Sequence, residues 1–158
     1  MKRIGPEKIH LLGITLLKAN FIPNNKFLKT RQEPDHITVG YSQKSRFDFK
    51  EGSVLIILDI KLTGKDQKNN EIGLEGQYSI EFLFSIENFK DFVIESKETV
   101  NNKEVITKQV DGILGGTLMG ICYSTARGII LERTQGTPFQ NRGVIIPVIN
   151  PNDLLMQD

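Results

Sequence analysis

Between Gly112 and Arg133 the chain carries a long apolar run, Gly-Ile-Leu-Gly-Gly-Thr-Leu-Met-Gly-Ile-Cys-Tyr-Ser-Thr-Ala-Arg-Gly-Ile-Ile-Leu-Glu-Arg, with a small residue at every fourth position. Leu114, Leu118, Ile121, Cys122, Thr125 and Ile129 follow the i, i+3, i+4 spacing of one helical face, which predicts a buried helix. Gly112, Gly116, Gly120, Ser124 and Gly128 form a second series. Each glycine costs a helix about 1 kcal/mol relative to alanine, so a row of them implies a neighbour whose close approach offsets that cost. A step of four residues overshoots a helical turn by about 40°, so the small stripe winds around the helix and faces more than one neighbour. A core helix of one chain and a helix at a subunit interface both satisfy this pattern. The run also approaches the ~20 residues that span a bilayer, where small-residue stripes are packing surfaces. Arg127 inside it, with Glu132 and Arg133 at its end, argues against membrane insertion, because charges at that depth are costly in lipid.

What precedes the helix reads as strands. Ile9, Leu11, Gly13, Thr15, Leu17, Ala19 and Phe21 fall on one face of a first strand, which the polar run after Ile22 ends. A loop through Phe27, Leu28 and Pro34 leads to a second strand over His36 to Phe49. Val54, Ile56, Leu58, Ile60 and Leu62 then alternate cleanly with polar neighbours at their C-terminal end. The turn chemistry of Gly64 to Gly73 predicts a hairpin loop. Beyond it, Gly76, Tyr78, Ile80, Phe82, Phe84 and Ile86 alternate with Glu75, Gln77, Ser79 and Glu81. Such strands make an antiparallel sheet with one apolar face that needs a cover, and the glycine-rich helix is the sizeable candidate. The expected class is α+β. Residues 90–111 admit two readings, an extra hairpin from Val93 and Ile94 to Val105 and Val110, or an irregular approach to the helix capped by Thr107 or Asp111.

Composition narrows the chemistry. At 158 residues the chain fits one domain, and 20 basic against 19 acidic residues supply no net field for nucleic acid or an anionic membrane. The single Cys122 excludes an intrachain disulfide and lies within the apolar helix, which points to a reduced, buried thiol. The N-terminus has basic residues but no apolar region after them, so no secretory signal is read there and a cytoplasmic location is expected. His10 and His36 lack a second histidine at metal-binding spacing, and the helical glycines match neither a dinucleotide nor a Walker loop. Glu75 and Glu81 read as solvating charges on a strand's wet face, and Phe47 and Phe49 with Arg46 and Lys50 lack the pattern of a nucleic-acid-stacking strand. No enzyme activity, metal or cofactor is expected.

The run Tyr123-Ser-Thr-Ala-Arg127, then Glu132-Arg-Thr-Gln-Gly-Thr-Pro-Phe139 and Val144-Ile-Ile-Pro-Val-Ile-Asn-Pro-Asn-Asp-Leu-Leu155, resembles the C-terminal half of the SecB protein-export chaperones. In that family a helix ends in a similar aromatic and Ala-Arg segment, followed by an Arg-Gly-Thr-Phe-Pro-like turn, an apolar-Pro-Val-Asn stretch and a final helix entered at Asp-x-Leu. Phe21-Ile-Pro-Asn is similar to the end of the family's first strand. The resemblance implies one domain over residues 1–158, with a four-stranded antiparallel sheet covered on one face by a long helix and a short C-terminal helix, and with 90–111 as a family-atypical insertion. It implies a homotetramer, a dimer of dimers in which sheets join and the long helices pack between dimers through Gly112, Gly116, Gly120, Ser124 and Gly128. The activity implied is ATP-independent holding of unfolded or precursor polypeptides for export. By region, the polypeptide-binding residues would be Phe27, Leu28, Phe47, Phe49, Phe139, Val144, Ile145 and Ile146. Glu81 matches a place where the family contacts the SecA export motor, although Lys18 and Ile22 stand where acids are expected on the first strand. Those departures, with the near-neutral charge, admit a second function, an adaptor dedicated to one partner such as an antitoxin.

Overall fold

The period-two alternation of Ser53–Lys65 and Glu71–Ile86 puts every second side chain on one face, and these become β3 and β4, the inner strands of a four-stranded antiparallel sheet. The computed structural model describes residues 5–100 and 103–140. β1 (Ile9–Pro23) and β2 (His36–Asp48) are the edges, in the order β1-β4-β3-β2. β2, β3 and β4 follow one another as hairpins while β1 lies beside β4, which is a Greek-key connection. The link from β1 across to β2 contains the short helix α1 (Asn25–Thr30). A second, two-stranded sheet, β5 (Val93–Val100) and β6 (Lys103–Val110), leads directly into α2 (Gly112–Arg133). Of the two readings of residues 90–111 the paired strands β5 and β6 are the one observed, and of the two capping candidates Asp111 is the cap, its carboxylate accepting from the Ile113 amide at 2.8 Å.

The core lies between the sheet and α2. Val54, Ile56, Leu58, Ile60 and Leu62 from β3 meet Ile80, Phe82 and Phe84 from β4, all buried beneath Leu114, Leu118, Met119, Cys122, Tyr123, Ala126 and Ile130. Full burial of such a side chain contributes about 1.5–3 kcal/mol, which is why this interface organises the fold. The buried face of α2 differs from the expected one. Ile121 and Ile129 are only half-buried, while Met119, Tyr123 and Ala126 point inward. The run is apolar around most of its circumference, so periodicity alone does not choose which side meets the sheet. By length and apolarity α2 could cross a membrane; here its buried side chains cover β3 and β4.

The first strand also departs from its simple pattern. The β1–β4 register shifts between Leu11 and Gly13 and again between Leu16 and Lys18, so Leu12 and Leu17 are bulged residues. Ile9, Leu11, Ile14, Leu16, Ala19 and Phe21 consequently share the core face, because each bulge moves the alternation by one residue. The β3–β4 connection is shorter than Gly64–Gly73, since the strands continue to Lys65 and resume at Glu71. Asp66 makes this possible, accepting from the Lys68 and Asn70 amides at 2.9 and 2.8 Å, and the bonds from Asn70 hold its carboxyl below the usual range. The expected short C-terminal helix lies outside the described residues.

Candidate functional site

Aromatic side chains cluster at one end of the sheet. Phe47 is the last residue but one of β2, and Phe49 follows the strand into a turn that Asp48 closes by accepting from the Lys50 and Glu51 amides, each at 3.0 Å. This turn brings Phe49 to 5.7 Å from Phe89, stacked, with Phe47 at 6.5 Å from Phe89 and 6.1 Å from Phe49. Phe89 is buried in the 3-10 turn after β4, whereas Phe47 and Phe49 are half-buried. The stack is anchored in the core and presents its outer rings to the surface. Two clefts of about 330 and 390 Å³ open beside it and share Phe49 and Lys90. One reaches the turn at Gly52, the other runs to Val93, Glu95 and Lys108 of the β5–β6 hairpin. Glu95 and Lys108 face each other across that hairpin and pair at 2.9 Å.

The remaining binding candidates separate. Phe27 is turned inward because Asn24 caps α1, accepting from the Lys26 and Phe27 amides at 2.9 and 3.2 Å. At 5% exposure it is a core residue, while its neighbour Leu28 is 45% exposed. Gly73 fixes that junction. Its φ is +86°, and a Cβ there would lie 1.9 Å from the Asn24 Oδ1. Phe139 is also core, at 0% exposure, with its ring edge-on to Phe21 at 5.9 Å. Gly76 of β4 leaves room for it, since a Cβ at that position would come within 3.3 Å of the Phe139 ring. Phe27 and Phe139 thus move from candidate ligand contacts to packing residues. Val144, Ile145 and Ile146 lie outside the described residues.

At its two ends, Gly112 and Gly128, the small-residue stripe of α2 has no close neighbour among the described residues. Gly112, Ser124 and Gly128 are exposed, Gly116 and Gly120 half-buried, and a Cβ on Gly112 or Gly128 would meet nothing within 4 Å. Glu81 lies on the outer face of the sheet, between Thr15 of β1 and Ile57 of β3. Its surroundings are mixed in charge, with Lys61 paired to Glu75 at 2.9 Å and Lys18 hydrogen-bonded to Gln77. The Glu75 carboxylate raises the Lys61 ammonium above its ordinary value. Cys122 is fully buried, and desolvation pushes its thiol up to about 12, which leaves it unreactive near neutrality.

One surface escaped sequence reading. Leu11, Leu12, Ile14, Leu17, Phe21 and Ile22 are all exposed on β1, whose outer backbone edge has no partner strand among the described residues. The signal was present in the sequence as a strand apolar on both faces, but the two bulges disguised it as weak alternation.

No protein-family model and no curated protein matches the chain by sequence. Among solved structures it is similar to that of a Mycobacterium tuberculosis SecB-like chaperone, Rv1957, in complex with a ChAD peptide from the HigA1 antitoxin Rv1956. The TM-score is 0.50 at 10% identity, over 81% of this chain and 79% of that one. With its Greek-key sheet of four antiparallel strands under one long helix, the chain has the SecB-like fold.

Proposed function

We propose that this protein is a chaperone that binds non-native polypeptide segments without using nucleotide. The observation that carries the reading is the core-anchored Phe47, Phe49 and Phe89 stack at the mouth of two adjoining clefts. Rigid aromatic rings fixed from below offer apolar contact area with little ordering cost, which is what an extended segment of low sequence specificity needs. Leu28 adds exposed apolar surface on α1. Support also comes from the fold likeness, since the similar protein is a SecB-like chaperone holding a peptide. The finer reading is a cytoplasmic holdase for export precursors, assembled as a dimer of dimers through the open β1 edge and the small-residue face of α2.

A dedicated adaptor is the second reading, favoured because the peptide bound by the similar chaperone comes from an antitoxin. One experiment separates the two. A chemically denatured, aggregation-prone enzyme is diluted into buffer with a stoichiometric amount of this protein and no ATP, and light scattering is followed. A general holdase suppresses aggregation of several unrelated clients; an adaptor protects one partner and leaves the others to aggregate. Absence of suppression for every client, antitoxin segments included, would overturn the chaperone reading.

A further inference from the structure

We propose that the free edge of β2 selects extended polypeptide segments that carry carboxylates, with Lys44 and Arg46 as the residues that set this preference. The inference rests on the polypeptide-binding reading above and adds the chemical class of the segment bound.

The sheet order leaves one side of β2 open, with β3 as its neighbour on the other. Along β2, Tyr41, Gln43, Ser45 and Phe47 face the helix side, while Ser42, Lys44 and Arg46 face outward. Lys44 lies opposite Ile57 and Arg46 opposite Leu55, so the residue directly facing each cation on β3 is aliphatic. Both are exposed, and neither forms an ion pair among the described residues. Two other strand lysines behave differently. Lys108 meets Glu95 directly across its hairpin and Lys61 reaches Glu75, both at 2.9 Å. Carboxylates on the same outer face stand at Asp59, two positions along β3 from Ile57, and at Asp48, two residues beyond Arg46, yet neither cation pairs with them, which leaves both available to a carboxylate on a strand added at the open side.

An added strand lies about 4.8 Å from β2 and keeps its period of two, so it inherits the pattern beside it. Positions next to half-buried Tyr41 and Phe47 accept apolar side chains, and positions next to Lys44 and Arg46 accept Asp or Glu. The fitting segment reads apolar-x-x-acidic-x-acidic-apolar in a parallel pairing, or the reverse order in an antiparallel one. Charged side chains on an edge strand also guard against aggregation without binding anything. The two roles differ in what they do to peptide selectivity.

Fluorescein-labelled peptides containing Leu-Ser-Thr-Glu-Thr-Glu-Phe, and the same residues in reverse order, are titrated against the full chain by anisotropy. Matched peptides carry Gln or Lys in place of both Glu residues. The expected result is about 2- to 30-fold tighter binding of one Glu peptide than of its Gln counterpart, from two cross-strand charge pairs, and weaker binding still of the Lys form. In the Lys44→Glu, Arg46→Glu double variant, shown folded by circular dichroism, the order reverses. Lys44→Ser, Arg46→Ser removes the difference between the Glu and Gln peptides. Equal binding of all forms by the natural chain, or a preference unchanged in both variants, overturns the inference and leaves the chaperone reading standing. Binding of none of the peptides, in a chain that also fails to suppress aggregation, overturns both.

Discussion

The two inner strands and the two edge strands of this sheet are built from similar residues and do opposite things with them. In β3 and β4 alternate side chains are driven fully into the core under α2, and what faces outward is mostly polar or shielded. In β1 and β2 the same chemistry stays at the surface, as exposed leucines and isoleucines on β1 and as half-buried aromatics with exposed cations on β2. The helix covers only the middle of the sheet. Apolar surface beyond its reach is stable in water only at a cost, and its presence on both edges marks where other chains are expected to lie.

Substitutions grade this contrast. Phe82→Ala, in the centre of the core, is expected to lower unfolding free energy by about 3–5 kcal/mol in urea titrations, since a cavity forms where α2 cannot follow. A loss below about 1 kcal/mol would mean the inner pair is not the stability centre. Asp111→Ala removes the cap of α2 and should cost about 1 kcal/mol by the same measurement, with the hairpin's junction weakened and the sheet intact.

Gly128→Leu is a sharper probe of the small-residue face. A Cβ at Gly128 meets nothing within 4 Å and leucine favours helix, so stability should hold or rise by up to about 1 kcal/mol. In the proposed assembly, where α2 packs against a second copy, the mass on light scattering should fall; an unchanged mass would remove α2 from that proposal. Leu17→Ser should alter protomer stability by less than about 0.5 kcal/mol while lowering the assembled mass, and a core-sized loss would contradict its bulged, 51% exposed position.

The last contrast is pH-dependent. With its folded pKa raised from 9.0 to about 12 by burial, Cys122 stays neutral in the native state while the unfolded chain loses its proton at lower pH. Its contribution is therefore fully present below pH 9 and falls away as pH rises towards 12. Iodoacetamide at pH 8 should label Cys122 slowly in the native protein and readily in urea. Equal rates would show that α2 opens.

Much of the arrangement was legible residue by residue. Strict alternation identified β3 and β4, glycine and asparagine marked the turn between them, and the helix from Gly112 was evident from its apolar spacing and its length. The site was legible only in part. Phe47 and Phe49 were recognisable as aromatics next to a turn, but Phe89, which anchors them, is forty residues away from Phe49 in sequence and meets it through the β2-β3-β4 connectivity. Phe27 and Phe139 looked like loop aromatics; an Asn24 cap and the space above Gly76 turn them inward, and neither effect is visible without the neighbouring strand.

Local periodicity suffices for β3, β4 and α2, because helix and strand repeat at 3.6 and 2 residues whatever surrounds them, but not for short α1, which read as a loop. Which side of α2 is buried, where β1 slips register, and which aromatics remain accessible depended on tertiary packing. Each is settled by competition between surfaces far apart in the chain, and that competition is decided by the total apolar area removed from water.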